Sequence, residues 1–260
     1  MSKFINDLFN LNAKTAVITG AGGYLCSEMA IGLAKSGCNI VVIDIRKEKA
    51  DLVAKNIISE TGVEVLAIQA DASNKPQIEN SLEKIEKYFN NVDILINGAG
   101  INSSTPFLEI EVDEYKEVMD SQITSTFVCC QVFGKHMLKR SKGNIINISS
   151  ASAGPPLSKA FAYSVAKAGI LNLTQNLGRE WGIKGVRVNA IRPGFFPTEW
   201  NRKNFITKER EKAILDHTPM ARFGKVSELV GGIIYLASDA SSFVTGSELT
   251  VDGGFSGMTV

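Results

Sequence analysis

Three side chains have types and a spacing suited to moving a proton: Ser150, Tyr163 and Lys167. Tyr163 and Lys167 share one face if the segment is helical, and the apolar spacing from Ala162 to Leu177 predicts a helix there. A free phenol titrates near ~10, too high for easy exchange at neutral pH. A fixed ammonium beside it favours the phenolate and lowers that value by roughly 1–3 units, which makes Tyr163 a usable general acid or base. Ser150 follows the apolar run Asn144 to Ile148 and can hold a substrate oxygen beside the phenol. A Tyr-x-x-x-Lys pair is also a common surface pattern on helices, so the surrounding elements must decide.

Those elements alternate. Apolar runs predict strands at Lys14 to Thr19, Asn39 to Ile43, Val63 to Gln69, Val92 to Asn97, Asn144 to Ile148, Val186 to Ile191 and Glu248 to Val251. Helical spacing predicts helices at Leu25 to Lys35, Lys47 to Glu60, Pro76 to Phe89, Val112 to Lys139 and Ser227 to Ala237, besides the one carrying Tyr163. The pattern is α/β: one domain spanning 1–260, a doubly wound parallel sheet of seven strands with helices on both faces. In such sheets ligands bind beyond the carboxyl ends of the strands, where Gly20, Asp44, Asp71, Asn97, Ser150 and Pro193 all fall.

Composition narrows the partners. The chain has 260 residues, 44% of them hydrophobic and 21% charged, with a formal charge of +1. That balance is globular and offers no basic field for nucleic acid, so the expected partner is a small molecule. No apolar run reaches membrane-spanning length and the first residues are no secretion signal, so a cytoplasmic protein is expected. Cys26, Cys38, Cys129 and Cys130 lack metal-ligand spacing, and His136 and His217 stand alone, so no metal site is expected.

Gly20 to Gly23 joins the first strand to the first helix, where backbone N–H groups and the helix dipole attract phosphate. Asp44 closes the second strand, where a carboxylate accepts hydrogen bonds from the ribose hydroxyls of an adenosine. A 2′-phosphate would meet like charge there, so NAD is expected rather than NADP. Nearby Arg46 works against that preference.

Thr19-Gly20, Asp44, Asp71-Ala72, Asn97-Gly-Ala-Gly100, Asn147-Ile-Ser-Ser150, Tyr163-x-x-x-Lys167, Pro193-Gly-Phe-Phe-Pro-Thr198 and Val251-Asp-Gly-Gly254 resemble, in order, the signature of the short-chain dehydrogenase/reductase family. The resemblance spans nearly the whole chain. It implies a Rossmann-type domain that passes hydride between a nicotinamide and an oxygen-bearing carbon, with Tyr163 giving or taking the hydroxyl proton and Ser150 orienting the oxygen. It implies cofactor contacts from Gly20, Gly23, Tyr24, Leu25, Asp44, Ile45, Asp71, Ala72, Asn97, Ala99, Gly100, Pro193, Gly194, Phe196 and Thr198. Tyr163 and Lys167 would reach the same cofactor, Lys167 holding the nicotinamide ribose.

Three positions depart from the family pattern. Tyr24 and Cys26 replace the second and third glycines of its turn, and Gly22 and Gly23 can relax the turn to compensate, with the Tyr24 ring turned outward. Gln122 stands at the place of the family's active-site Asn, where its amide serves either a proton relay or helix packing. The segment 195–224 would cover the substrate. Its polar group Thr198, Glu199, Trp200, Asn201, Arg202, Lys203 and Asn204, with Arg192 just before it, suits a hydroxylated or anionic substrate, and Arg192, Trp200 and Arg202 are the candidate contacts. Several motifs are similar to a sugar-acid branch of the family, of the mannonate and gluconate kind, so a sugar, polyol or sugar acid is expected. The alternatives are a 3-oxoacyl carrier-protein reductase, which Asp44 disfavours, and a catalytically silent nucleotide-binding relative. Relatives pair through the helix after Val112 and the Tyr163 helix, which implies a homotetramer, although Phe127, Val128, Val132, Phe133, Leu171, Leu173 and Leu177 serve equally as monomer core.

Overall fold

Apolar runs that are buried on both faces make parallel strands, and the first strand of the chain shows why. All five residues of β1 (Thr15–Thr19) are buried, with Ala16 and Ile18 in the core on one side of the sheet and Val17 in the core on the other. The computed structural model describes residues 3–154, 157–198 and 206–259. Among them β2 (Asn39–Asp44), β3 (Val65–Gln69), β4 (Ile94–Asn97), β5 (Gly143–Ile148), β6 (Val186–Pro193) and β7 (Glu248–Val251) complete a parallel sheet of order β3-β2-β1-β4-β5-β6-β7. The order reverses between β1 and β4, which opens a crevice beyond their carboxyl ends.

Helix α1 (Lys3–Leu8) precedes the sheet. One face is covered by α2 (Tyr24–Lys35), α3 (Lys47–Thr61) and α9 (Val230–Ala237), whose Met29, Leu33, Ile57, Ile233 and Leu236 join the core with Ile40 and Val42. The other carries α4 (Lys75–Phe89), α6 (Ser125–Lys139) and α7 (Phe161–Trp181), with Ile78, Ile85, Phe133 and Trp181 against Val41, Leu95 and Ile145.

The structure goes beyond the sequence expectation in several places. The long helix after Val112 is α5 (Val112–Met119) and α6 joined by a π-helical turn at Asp120–Thr124, which widens the backbone around Gln122. The connection after β6 contains a further helix, α8 (Lys208–Asp216), capped by Thr207, whose side chain accepts the Arg210 N–H at 3.2 Å. Val128, Val132 and Phe133 are core, whereas Phe127 and Val165 stand exposed on the outer faces of α6 and α7.

Candidate active site

The glycine turn is the first part of the site. Gly20 has φ +65° and packs so closely on the next strand's loop that a Cβ there would lie 2.7 Å from Ala99 Cα, so only glycine fits. Gly23 caps α2 with no side-chain bond to the first turn, which leaves its N–H groups for an anion. The two departures in this turn are accommodated. Tyr24 is 53% exposed, outside the turn. Cys26 is buried against Gly98, where a Cβ would come within 2.2 Å of its sulfur.

Asp44 lies at the end of β2 with 4% exposure. Its Oδ2 accepts the Gly22 N–H at 2.9 Å, and its Oδ1 accepts the Arg46 N–H at 3.0 Å and Arg46 Nε at 3.2 Å. The carboxylate thus fixes the glycine turn and keeps a guanidinium beside it. Oδ2 retains room for a further donor such as a ribose hydroxyl. Ile45 beside it is exposed. Asp71 commits Oδ1 to its own turn through Ser73 N and Oγ at 2.9 and 2.7 Å, while Ala72 is buried. An uncapped helix start, a glycine held tight on Ala99 and a carboxylate at the neighbouring strand end together fit a dinucleotide.

At the centre of the crevice the Asn97 side chain turns into the sheet, donating to Asn147 Oδ1 at 2.9 Å and to Cys130 Sγ at 3.3 Å, so the Asn97 to Gly100 segment presents backbone to the crevice. Gly100 lies under Gln122, where a Cβ would come within 2.3 Å of the amide. Gln122 is 3% exposed and donates from Nε2 to the Ile101 carbonyl at 2.8 Å. Its Oε1 has no hydrogen-bond partner among the described residues.

Tyr163 and Lys167 meet on α7 as expected, with Lys167 Nζ 5.4 Å from the Tyr163 ring centroid. Lys167 is 4% exposed and donates to the Ile148 carbonyl at 2.6 Å. Burial pulls its ammonium down to about 8. The expected lowering of Tyr163 by Lys167 is corrected: burial pushes the phenol above its ordinary value, and the group drawing it back down is the Ser150 hydroxyl, through a hydrogen bond. Burial dominates both groups. Ser150 caps the turn Ala151–Ala153, its Oγ accepting the Ser152 N–H at 3.2 Å and lying 3.1 Å from Ser152 Oγ.

The end of β6 supplies the remaining wall. Gly194 N–H donates to the Val251 carbonyl at 2.9 Å, so the Val251-Asp-Gly-Gly254 segment anchors Pro193 and Gly194 at the rim. The Phe196 ring is 9% exposed, packed on Gly224 and joined to the α2 and α9 cluster. Thr198 is partly buried, and Trp200 and Arg202, with Glu199, Asn201, Lys203 and Asn204, lie outside the described residues. Arg192 is corrected as well. Its guanidinium pairs with Glu248 on β7, both side chains nearly buried, so its charge is already answered.

Two site residues escaped the sequence reading. Ser152 is the buried neighbour of Ser150. Arg210 on α8 reaches the loop between Ser150 and Tyr163, donating to the Ser158 carbonyl at 3.2 Å, and pairs with no carboxylate among the described residues. Its signal was the Thr207 cap with acidic residues behind it, a helix start inside a segment read as irregular. Among the described residues no group of His, Cys, Asp and Glu is placed to hold a metal, and no helix is long and apolar enough to cross a membrane.

A doubly wound sheet with a dinucleotide turn and a serine–phenol pair beside it defines an α/β oxidoreductase. Comparison with known proteins extends this. A family model described as enoyl-(acyl carrier protein) reductase matches residues 24–256. The uncharacterized oxidoreductase UxuB of Bacillus subtilis is 40% identical over 267 residues, covering 95% of this chain and 96% of its own. A gluconate 5-dehydrogenase from Burkholderia cenocepacia, solved with NADP and tartrate, superposes with a TM-score of 0.93 at 32% identity, covering 98% of this chain and 100% of its own. A protein from Haemophilus influenzae assigned provisionally as a D-mannonate oxidoreductase, solved with NAD, gives a TM-score of 0.90 at 38% identity over 96% of this chain and 97% of its own. The chain belongs to the short-chain dehydrogenase/reductase family and is a nicotinamide-dinucleotide-dependent oxidoreductase acting on CH–OH groups.

Proposed function

We propose that this enzyme interconverts a secondary alcohol and a ketone on a sugar acid, with NAD preferred over NADP and Tyr163 as the general acid/base. The observation that carries the reading is the buried Lys167 ammonium 5.4 Å from the Tyr163 ring, hydrogen-bonded to the end of the strand that leads into Ser150, at the rim that also bears Asp44 and the glycine turn. When bound, a nicotinamide dinucleotide accepts or supplies the hydride. The chain then manages one proton. In oxidation the phenolate of Tyr163 takes the alcohol proton while Ser150 donates to the same oxygen; in reduction the phenol returns it. Lys167 gives one N–H to Ile148, which leaves two donors for ribose hydroxyls.

Gln122 holds the Gly100 turn through Ile101, and its unpartnered Oε1 is the acceptor left for a proton relay. Asp44 supports NAD by its negative charge at the ribose position, and Arg46 at 3.2 Å gives NADP a weaker hold. Arg210, a cation without an acid partner among the described residues, supports a substrate carboxylate, as do the gluconate and mannonate names borne by similar proteins. Exposed Phe127 and Val165 on α6 and α7 support a homotetramer, and we place it in the cytoplasm. Sedimentation showing a stable monomer at micromolar concentration would contradict the assembly.

The test pairs fluorescence titration by NADH and NADPH with an absorbance assay on D-gluconate, D-mannonate and 5-keto-D-gluconate, and on a 3-oxoacyl thioester for contrast. Tighter NADH binding and turnover on a sugar acid are expected. Faster turnover on the thioester, or binding without turnover on any alcohol or ketone, defeats the reading.

A further inference from the structure

Ser150 can assist the reaction only if its single proton points at the reacting oxygen, and a serine hydroxyl rotates freely unless its acceptor positions are filled. Two donors from one neighbour approach those positions: Ser152 N–H at 3.2 Å and Ser152 Oγ at 3.1 Å. Ser152 is 4% exposed, and among the described residues its hydroxyl is hydrogen-bonded to Ser150. We propose that Ser152 is a positioning residue that locks Ser150 as a hydrogen-bond donor toward Tyr163 and the substrate oxygen.

The assignment of direction follows from proton counting. Between the two hydroxyls one proton lies on the shared line. Were it Ser150's, none would remain for the phenol or the substrate; the geometry has Ser152 Oγ as the donor and Ser150 Oγ as the acceptor. With Ser152 donating, Ser150 accepts twice and donates once outward. The arrangement serves both directions of the reaction, because a ketone oxygen and an alcohol oxygen each accept from Ser150. A donated hydrogen bond also favours the phenolate, so freeing the Ser150 rotor raises the proton affinity of Tyr163. The other titratable neighbours do not supply that effect: Lys167 on α7 keeps its place, and the Cys26 thiol of α2, with burial holding it near about 12, stays neutral.

The proposal rests on the Ser150–Tyr163 reading, so its test separates the two. Ser152→Ala, Ser152→Thr, Ser150→Ala and the double alanine variant are assayed with D-gluconate and NAD. Expected for Ser152→Ala are a roughly tenfold fall in kcat, KM within about twofold, and an alkaline shift of the kcat/KM profile. Ser152→Thr restores the rate, and the double variant is no slower than Ser150→Ala alone. The tyrosinate absorbance of each protein, less that of its Tyr163→Phe counterpart, follows the phenol without any substrate, and should move to higher pH in Ser152→Ala. An unshifted phenol in Ser152→Ala, or additive losses in the double variant, overturns the proposal. Full activity in Ser150→Ala instead overturns the reading beneath it. Should Ser152→Ala fail to fold, Ser152→Cys, of similar volume and weaker donor strength, must show the same phenol shift or the proposal falls.

Discussion

Replacing Lys167 by Met should inactivate the enzyme and yet stabilise its fold near neutral pH. The ammonium is 4% exposed, and burial moves it from 10.5 down to about 8. A gap of about 2.5 units at about 1.4 kcal/mol each means that charging this group in the fold costs about 3 kcal/mol at pH 7. Met fills a similar volume without that charge but leaves the Ile148 carbonyl without its 2.6 Å donor, a loss of about 1–2 kcal/mol. The net expectation is a gain of about 1–2 kcal/mol at pH 7. The sign with pH is fixed by the lowered value. Between about 8 and 10.5 the folded wild type holds fewer protons at this site than the unfolded chain, so its stability climbs with pH and is lost as pH falls through about 8. The advantage of Lys167→Met should therefore fade by pH 10, as measured by urea unfolding followed by circular dichroism at pH 7 and pH 10. A variant less stable than wild type at pH 7, or an advantage equal at both values, refutes the reasoning. The catalytic lysine would then be shown to stabilise the structure that carries it.

Removing the Asp44 carboxylate takes away the partner of Gly22 and the charge at the ribose position. Asp44→Ala should weaken NADH binding by roughly 10- to 100-fold while NADPH loses less, as read by fluorescence titration. Arg210→Ala should raise KM for a sugar acid by about tenfold or more with kcat nearly kept and NADH binding unchanged; an unaltered KM would remove Arg210 as the carboxylate partner. Burial pushes the Cys26, Cys38 and Cys130 thiols up to about 12 and the Cys129 thiol well above its ordinary value. The native enzyme should therefore resist thiol labelling at pH 8, and all four should react once it is unfolded in denaturant.

The strands were legible because both their faces are buried, and an apolar run such as Ala16-Val-Ile18 admits few other readings. Helix α8 was not, because it buries little beyond Ile214 and so lacks an apolar stripe. The π turn at Gln122 answers a fit between α5, α6 and the Gly100 backbone, and no Gly or Pro marks it locally. In the site, helical spacing put Tyr163 and Lys167 on one face, and the ordered motifs around them singled the pair out. The direction of the phenol's shift was misjudged because burial is a tertiary property, whereas the neighbouring charge is visible in the sequence. Arg192 invited a substrate role for the same reason: its partner Glu248 comes from a strand far along the chain.

One substitution tests most directly whether Tyr163 carries the proton. Tyr163→Phe keeps the ring and removes a single oxygen, so NADH titration should give wild-type affinity within about threefold while sugar-acid turnover falls by roughly 10²–10⁴. Turnover retained within tenfold, with cofactor still bound, would contradict the central claim.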